Sequence, residues 1–267
     1  MSNLGGGSSW QVPAAFPVLG QEEVHVWRAE LAADGARLQA LEAILAADER
    51  ARARRFLHAR DGSNFIVARG LLRVILGRYL DRPPQQLRFS YRPYGKPALD
   101  SEGSAELCFN LAHSGGLVLY AVTLRREVGI DLERIADRIE FAAIARRFFA
   151  PAEQAALAAL PPPQLSEGFF NCWTRKEACL KAWGGGLSQP LDQFVVSLVP
   201  GEPAALLQAP PSASERSHWT LQAIDPGTGY AAALAVEGCG WAAKLLQLPP
   251  DPLRASECPT NLLPDQE

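Results

Sequence analysis

Phe169 to Leu187 reads F-F-N-C-W-T-R-K-E-A-C-L-K-A-W-G-G-G-L, a run of helix formers that ends in a glycine cluster. Glycine supplies the left-handed conformation that closes a helix, so the stretch predicts one long helix capped by Gly184-Gly185-Gly186. Trp173, Lys176, Glu177, Leu180 and Lys181 follow three-four spacing and fall on one mixed stripe. Read in isolation, Glu177 and Lys181 at i and i+4 form an ordinary surface ion pair worth roughly 0.2–0.5 kcal/mol.

A second stretch upstream changes that reading. Val128-Gly129-Ile130-Asp131-Leu132-Glu133 alternates strictly, which puts Val128, Ile130 and Leu132 on one face of a strand and Asp131 and Glu133 on the other. Two carboxylates on one strand face repel unless a cation lies between them. A third, from a helix, completes a hard-oxygen set suited to magnesium or manganese.

The two stretches together carry a resemblance. G-I-D-L-E followed by W-T-R-K-E-A-C-L-K resembles the paired signature of the 4'-phosphopantetheinyl transferases, in their larger Sfp-type form. Tyr94-Gly95-Lys96-Pro97 and Phe109-Asn110-Leu111-Ala112-His113-Ser114 resemble that family's two earlier motifs, in the same order, and the whole match covers roughly Asp48 to Val236. The resemblance implies an α+β fold, a pseudo-twofold of two similar α/β halves with coenzyme A between them. It implies transfer of the 4'-phosphopantetheine group from coenzyme A to a serine of an acyl, polyketide or peptidyl carrier protein.

The same resemblance assigns residues. Asp131, Glu133 and Glu177 are expected to hold Mg2+, with Mn2+ as an alternative, and Glu177 to act as base, directly or through a water. Lys181 is expected to face the developing phosphate charge and Lys176 to hold the pyrophosphate. His113 and Lys96 are expected on the 3'-phosphate, with Arg52 of the Arg50 to Arg55 run near the nucleotide. Family members often carry a serine before the histidine; Ala112 stands there in this chain, which leaves Ser114 or backbone amides to replace the missing hydroxyl.

Bulk properties agree with a soluble globular protein. The chain has 267 residues, is 48% apolar and carries a formal charge of −3, so it offers polyanions no global attraction and must hold phosphate with a local cationic cluster. The five cysteines show neither zinc spacing nor an even disulfide framework, which fits a reduced cytoplasmic setting. The first residues lack a signal-peptide core, and no Ser-His-Asp set, P-loop or G-x-G-x-x-G motif is present.

Working outward, residues 1–20 are expected to be a flexible leader and 249–267 a disordered tail, because both are rich in Gly, Ser, Pro or polar residues without periodicity. An N-terminal half, 21–126, begins with a strand at Val24 to Leu31 and helices at Arg37 to Leu45 and Asp61 to Leu80. Strands follow at Leu87 to Tyr91, Leu107 to Leu111 and Leu117 to Leu124. A C-terminal half, 127–248, repeats the order with helices near Ile139 to Phe149, Pro151 to Leu160 and Phe169 onward, then strands near Phe194, Trp219 and Tyr230. Since one chain supplies both halves, a monomer is expected. Two other classes remain open, a non-catalytic coenzyme A-binding module and a magnesium phosphohydrolase.

Overall fold

The computed structural model describes residues 9–92, 95–100, 106–136, 140–184, 190–210 and 218–253. Tyr94, Gly185 to Leu187, Ile139 and Cys258 lie outside the described residues, as does most of the expected tail. The N-terminal half runs β1 (Glu23–Glu30), α1 (Gly35–Ala43), α2 (Ala47–Ala53), α3 (Ala59–Tyr79), β2 (Phe89–Tyr91), β3 (Pro97–Leu99), β4 (Leu107–Ser114) and β5 (Leu117–Leu124). The C-terminal half runs β6 (Val128–Arg134), α4 (Phe141–Phe148), α5 (Pro151–Ala158), α6 (Leu165–Trp183), β7 (Val195–Val196), β8 (Leu206–Gln208), β9 (Trp219–Ile224), β10 (Tyr230–Glu237) and β11 (Ala242–Gln247).

The pseudo-twofold is visible in the sheets. One has the order β11-β1-β5-β4, the other β6-β10-β9, and each half also carries a small hairpin, β2-β3 or β7-β8. In both sheets the first strand of the half pairs antiparallel with its last long strand, which pairs antiparallel with the one before. Alternation then sorts the side chains into three cores. Trp27, Tyr120 and Val122 face α3 through Leu71, Leu72 and Ile75. Ala233 and Ala235 face α6 through Ala178, Cys179 and Ala182. Between the sheets lie Val24, Val26, Leu119 and Ala121 from one half and Val128, Ile130, Leu132 and Leu234 from the other. The layers are therefore helix, sheet, sheet, helix.

The halves also repeat an internal anchor that residue identity hides. Glu49 caps α2 by accepting from Ala46 N at 2.8 Å, and Glu153 caps α5 by accepting from Ala150 N at 2.8 Å. Each carboxylate then grips the long helix of its half. Glu49 binds Arg69 and Arg73, and Arg73 also donates to the carbonyls of Pro84 and Leu87 in the segment after α3. Glu153 binds Lys176 at 2.8 Å, and Lys176 donates to Leu191 and Phe194 carbonyls, both at 2.6 Å, in the segment after α6. All of these ionic groups are buried.

Three sequence expectations change. Residues 10–19, expected to be a loose leader, pack on the body: Phe16 stacks on Trp27 at 5.1 Å, Leu19 is buried, and Trp10 Nε1 donates to the Asp225 carbonyl. Their apolar side chains find an uncovered edge of the first core, which a composition-based reading does not weigh. The last strand, β11, was absent from the sequence reading and joins the first sheet, parallel to β1, with Lys244 opposite His25. Helix α6 begins at Leu165, earlier than expected, and its cap Gly184 has φ 69°, as the glycine cluster predicts. Among the described residues no helix is long and apolar enough to cross a membrane.

Strand β6 and helix α6 touch backbone to backbone at Gly129. A Cβ there would lie 2.1 Å from the Ala178 carbonyl oxygen and 2.4 Å from the Ala182 nitrogen. Gly129→Ala is therefore expected to force the helix off the strand and to lower unfolding stability by about 1–3 kcal/mol, measured by urea denaturation. An unchanged midpoint would mean that the helix yields freely at this point.

Candidate functional site

A cleft of about 390 Å³ opens between the halves. Arg52, Phe65 and Arg69 come from α2 and α3, Tyr91, Gly95 and Pro97 from the β2-β3 hairpin, and Ala112 and His113 from the end of β4; Asp131 and Glu133 on β6 and Lys181 on α6 form the facing wall. Recesses of about 530 and 780 Å³ elsewhere contain none of the site residues expected from sequence.

The acidic wall follows from strand alternation and the Gly129 contact. Asp131 and Glu133 point away from the inter-sheet core, toward α6, whose approach at Gly129 brings Glu177 and Lys181 over them. Lys181 Nζ donates to Asp131 Oδ1 at 2.7 Å and to the Ile130 carbonyl at 3.1 Å. The pair links helix to strand, so the ordinary Glu177–Lys181 surface pair is not what this lysine forms. Asp131 is 5% exposed, and its second oxygen, Oδ2, is buried with no hydrogen-bond partner among the described residues. Glu133 Oε2 accepts from Ser114 Oγ at 2.9 Å.

Electrostatics show that the carboxylates crowd one another. Burial, then the negative charge of Asp131, hold Glu177 above the ordinary carboxylate range, against the pull of Lys181. Burial likewise raises Glu133; the Ser114 hydrogen bond opposes this and Asp131 adds to it. An acidic cluster with one unpartnered buried oxygen has the donor chemistry of a hard-cation site. Among the described residues no three such groups already converge to metal-ligating distance, so a cation would have to draw these carboxylates together.

The cations divide differently from the sequence expectation. Arg52, exposed at the cleft rim, places its guanidinium over the Phe65 ring at 5.2 Å. His113 is exposed at the mouth, and desolvation by the cleft wall, then the Lys181 charge, lower its pKa. Lys176 is corrected: it is 1% exposed and turned into the C-terminal core toward Glu153, too deep to hold a pyrophosphate. Consecutive helix positions diverge by about 100°, and Glu177, half-buried behind the residues that line the cleft, is the one turned toward Asp131 and Glu133. Lys96 is corrected as well. Its ammonium is directed away from the cleft, onto Glu127 Oε2 at 2.8 Å and the Val128 carbonyl at 3.0 Å, while its neighbours Gly95 and Pro97 line the cavity. Ser114 is committed to Glu133 and to Arg134 N, so it does not replace the hydroxyl absent at Ala112. Trp173 packs under the helix, against Phe148 and Phe169.

One cleft cation escaped the sequence reading. Arg69 is 5% exposed, bound to Glu49 through Nε and to the Tyr91 hydroxyl at 2.9 Å, with its guanidinium 4.0 Å above the Phe89 ring. On a helix whose stripe reads as core, an arginine gives no sign of which way it turns. The only available signal was that Arg69 and Arg73 lie four apart on that apolar helix.

Comparison with known proteins supplies independent findings. The family model described as "4'-phosphopantetheinyl transferase superfamily" matches residues 127–235, and one described as "4'-phosphopantetheinyl transferase, N-terminal" matches residues 31–125. The chain is 42% identical to 4'-phosphopantetheinyl transferase HetI of Nostoc sp., over 84% of this chain and 91% of that protein. It is 36% identical to a putative 4'-phosphopantetheinyl transferase, slr0495, of Synechocystis sp., over 74% of this chain and 80% of the relative. With 4'-phosphopantetheinyl transferase Sfp of Bacillus subtilis the identity is 34%, over 57% and 65%.

Two outcomes follow from the geometry. Lys176→Met leaves Glu153 buried without its counter-ion and is expected to cost about 3–5 kcal/mol of stability; a loss under 1 kcal/mol in denaturant titration would contradict the buried-pair reading. For Glu177 and Glu133 the folded pKa is raised, so the folded state binds more protons than the unfolded chain above the ordinary carboxylate pKa. Their contribution to stability therefore falls as pH rises through that window and is regained on acidification or cation binding. Glu177→Gln is accordingly expected to raise the metal-free thermal midpoint near neutral pH, on the order of 2–4 °C. A lowered midpoint would show that Glu177 is not repelled by its neighbours.

Proposed function

Since the chain belongs to the 4'-phosphopantetheinyl transferase superfamily, in its Sfp-type branch, we propose that it transfers 4'-phosphopantetheine from coenzyme A to a serine of an apo carrier protein, releasing adenosine 3',5'-bisphosphate. The observation that carries the site reading is Asp131, paired to Lys181 through one oxygen and unpartnered at the other, in the cleft shared by both halves.

In this reading Asp131, Glu133 and Glu177 hold a divalent cation, Mg2+ or Mn2+. Such an ion would neutralise the pyrophosphate and relieve the repulsion among the carboxylates. Arg52, Arg69 and His113 line the opposite wall and supply positive or hydrogen-bonding groups to the nucleotide phosphates. The carrier serine hydroxyl attacks the β-phosphorus of coenzyme A, and the bond to the bridging oxygen of the leaving nucleotide breaks. Glu177, which burial and the Asp131 charge hold above the ordinary carboxylate range, takes the hydroxyl proton, directly or through a water. Lys181, held in place by Asp131, faces the charge that develops on the phosphoryl oxygens.

A monomer is the economical state, because one chain contributes both walls of the cleft. The described cysteines Cys108, Cys172, Cys179 and Cys239 are free thiols, which suits a reducing cytoplasm. Incubation with coenzyme A, Mg2+ and a panel of apo fatty-acid, polyketide and nonribosomal-peptide carriers, read by intact mass, tests the proposal. At least one carrier is expected to gain a phosphopantetheine group, and adenosine 3',5'-bisphosphate to appear in step with it. Cleavage of coenzyme A without a change in carrier mass would favour a phosphohydrolase. Intact coenzyme A and unmodified carriers throughout would leave only a binding module.

A further inference from the structure

Lys96 carries the hairpin that forms one wall of the nucleotide cleft, yet its ammonium is spent across the seam between the halves. Its Nζ lies 2.8 Å from Glu127 Oε2, 3.0 Å from the Val128 carbonyl and 3.5 Å from the Ala182 carbonyl. Glu127 and Val128 lead into β6, which carries Asp131 three residues later, and Ala182 directly follows Lys181 on α6. The Lys96 side chain is 10% exposed, and Glu127 is shared with Arg92, whose NH1 lies 2.7 Å from its other oxygen. Burial disfavours the Glu127 carboxylate, but Lys96 and Arg92 outweigh that and keep it below the ordinary range. The hairpin's own turn is tied by Gly95 N to the Arg92 carbonyl at 2.8 Å and by Arg92 N to the Lys96 carbonyl at 3.0 Å.

We infer that Lys96 is a positioning residue: its ammonium pins the nucleotide-binding hairpin of the N-terminal half to the strand and helix that carry the acidic wall, and does not itself read a phosphate. Three elements meet at one cation. A lysine suits the task, since an ammonium offers three donors in a compact tripod and finds a carboxylate and two carbonyls here. The pin fixes the distance between the wall that receives the nucleotide and the wall that receives the pyrophosphate. This inference rests on the transferase reading only for its kinetic readout.

The test compares wild type with Lys96→Met, Lys96→Arg and Glu127→Gln, using coenzyme A and 3'-dephospho-coenzyme A as alternative donors. A loosened wall displaces the donor as a whole, so Lys96→Met is expected to lower kcat by about tenfold to a hundredfold with both donors and to leave their kcat/KM ratio unchanged. Glu127→Gln keeps both carbonyl contacts and is expected to cost less, in the same direction. The double variant should be no worse than Lys96→Met alone, because both changes break one contact set. Lys96→Arg, a planar fork in a tripod site, is expected not to rescue. A kcat/KM ratio that collapses toward unity in Lys96→Met would overturn the inference and return Lys96 to the 3'-phosphate. So would a fall in thermal midpoint with both donors turned over normally, since that describes a residue serving only stability.

Amide exchange supplies a readout that needs no turnover. The Gly95 amide and the α6 terminal amide of Gly184, which donates to Leu180, should exchange faster in both Lys96→Met and Glu127→Gln. Unchanged protection in Glu127→Gln, the variant least prone to misfold, would rule out the pin even if no carrier is modified. Faster exchange in a protein that modifies no carrier would preserve the pin while sinking the transferase reading.

Discussion

The backbone contact between β6 and α6 at Gly129 governs the site. Because no Cβ intervenes, the helix rests directly on the strand, and the small residues Ala178 and Ala182 complete the approach. The proposed catalytic groups of the C-terminal half all take their places from that point. Asp131 and Glu133 stand on the strand face beneath the helix, and Lys181 is close enough to bond Asp131 and the strand backbone together. A wider gap would admit water to Asp131 Oδ2 and weaken each charge interaction in the wall.

The N-terminal half shows the alternative the same architecture permits. There α3 is held to β1 through side chains: Tyr79 hydroxyl meets His25 Nδ1 at 2.6 Å and Trp27 Nε1 at 2.8 Å. Burial lowers the His25 pKa, so this layer favours a neutral, aromatic filling. Two similar halves thus use the helix–strand gap in opposite ways, one packed with aromatic rings and one kept narrow and acidic. The repeated Glu49 and Glu153 anchors keep both long helices in place while the gaps diverge.

Much of this was legible in residue order. Strict alternation from Val128 to Glu133 assigned the two faces of β6, and the glycine cluster ended α6 at Gly184. Motif order, with the resemblance it supports, gave the family and the α+β class. What escaped depended on rotation and on distant partners. Lys176 and Glu177 are neighbours in sequence, yet one turns into the core and the other toward Asp131 and Glu133, a choice made by where Glu153 lies. Lys96 fell to Glu127, whose proximity comes from the docking of two halves rather than from a local pattern. The anchor symmetry stayed hidden because Arg73 and Lys176 do one job with different chemistry, so residue identity between the halves never registered it.

Strand β11 gives the molecule a temporal order. The first sheet takes its outer strand from Ala242–Gln247, and Lys244 reaches Glu23 at the opening of β1. On a translating ribosome, the N-terminal half emerges with one side of β1 unpaired, and it stays so until Ala242–Gln247 has been synthesised. The edge is an adhesive surface for any other strand in the interim. Completion of the first sheet therefore waits for β11, whose pairing adds a further tie between the halves to the core they share.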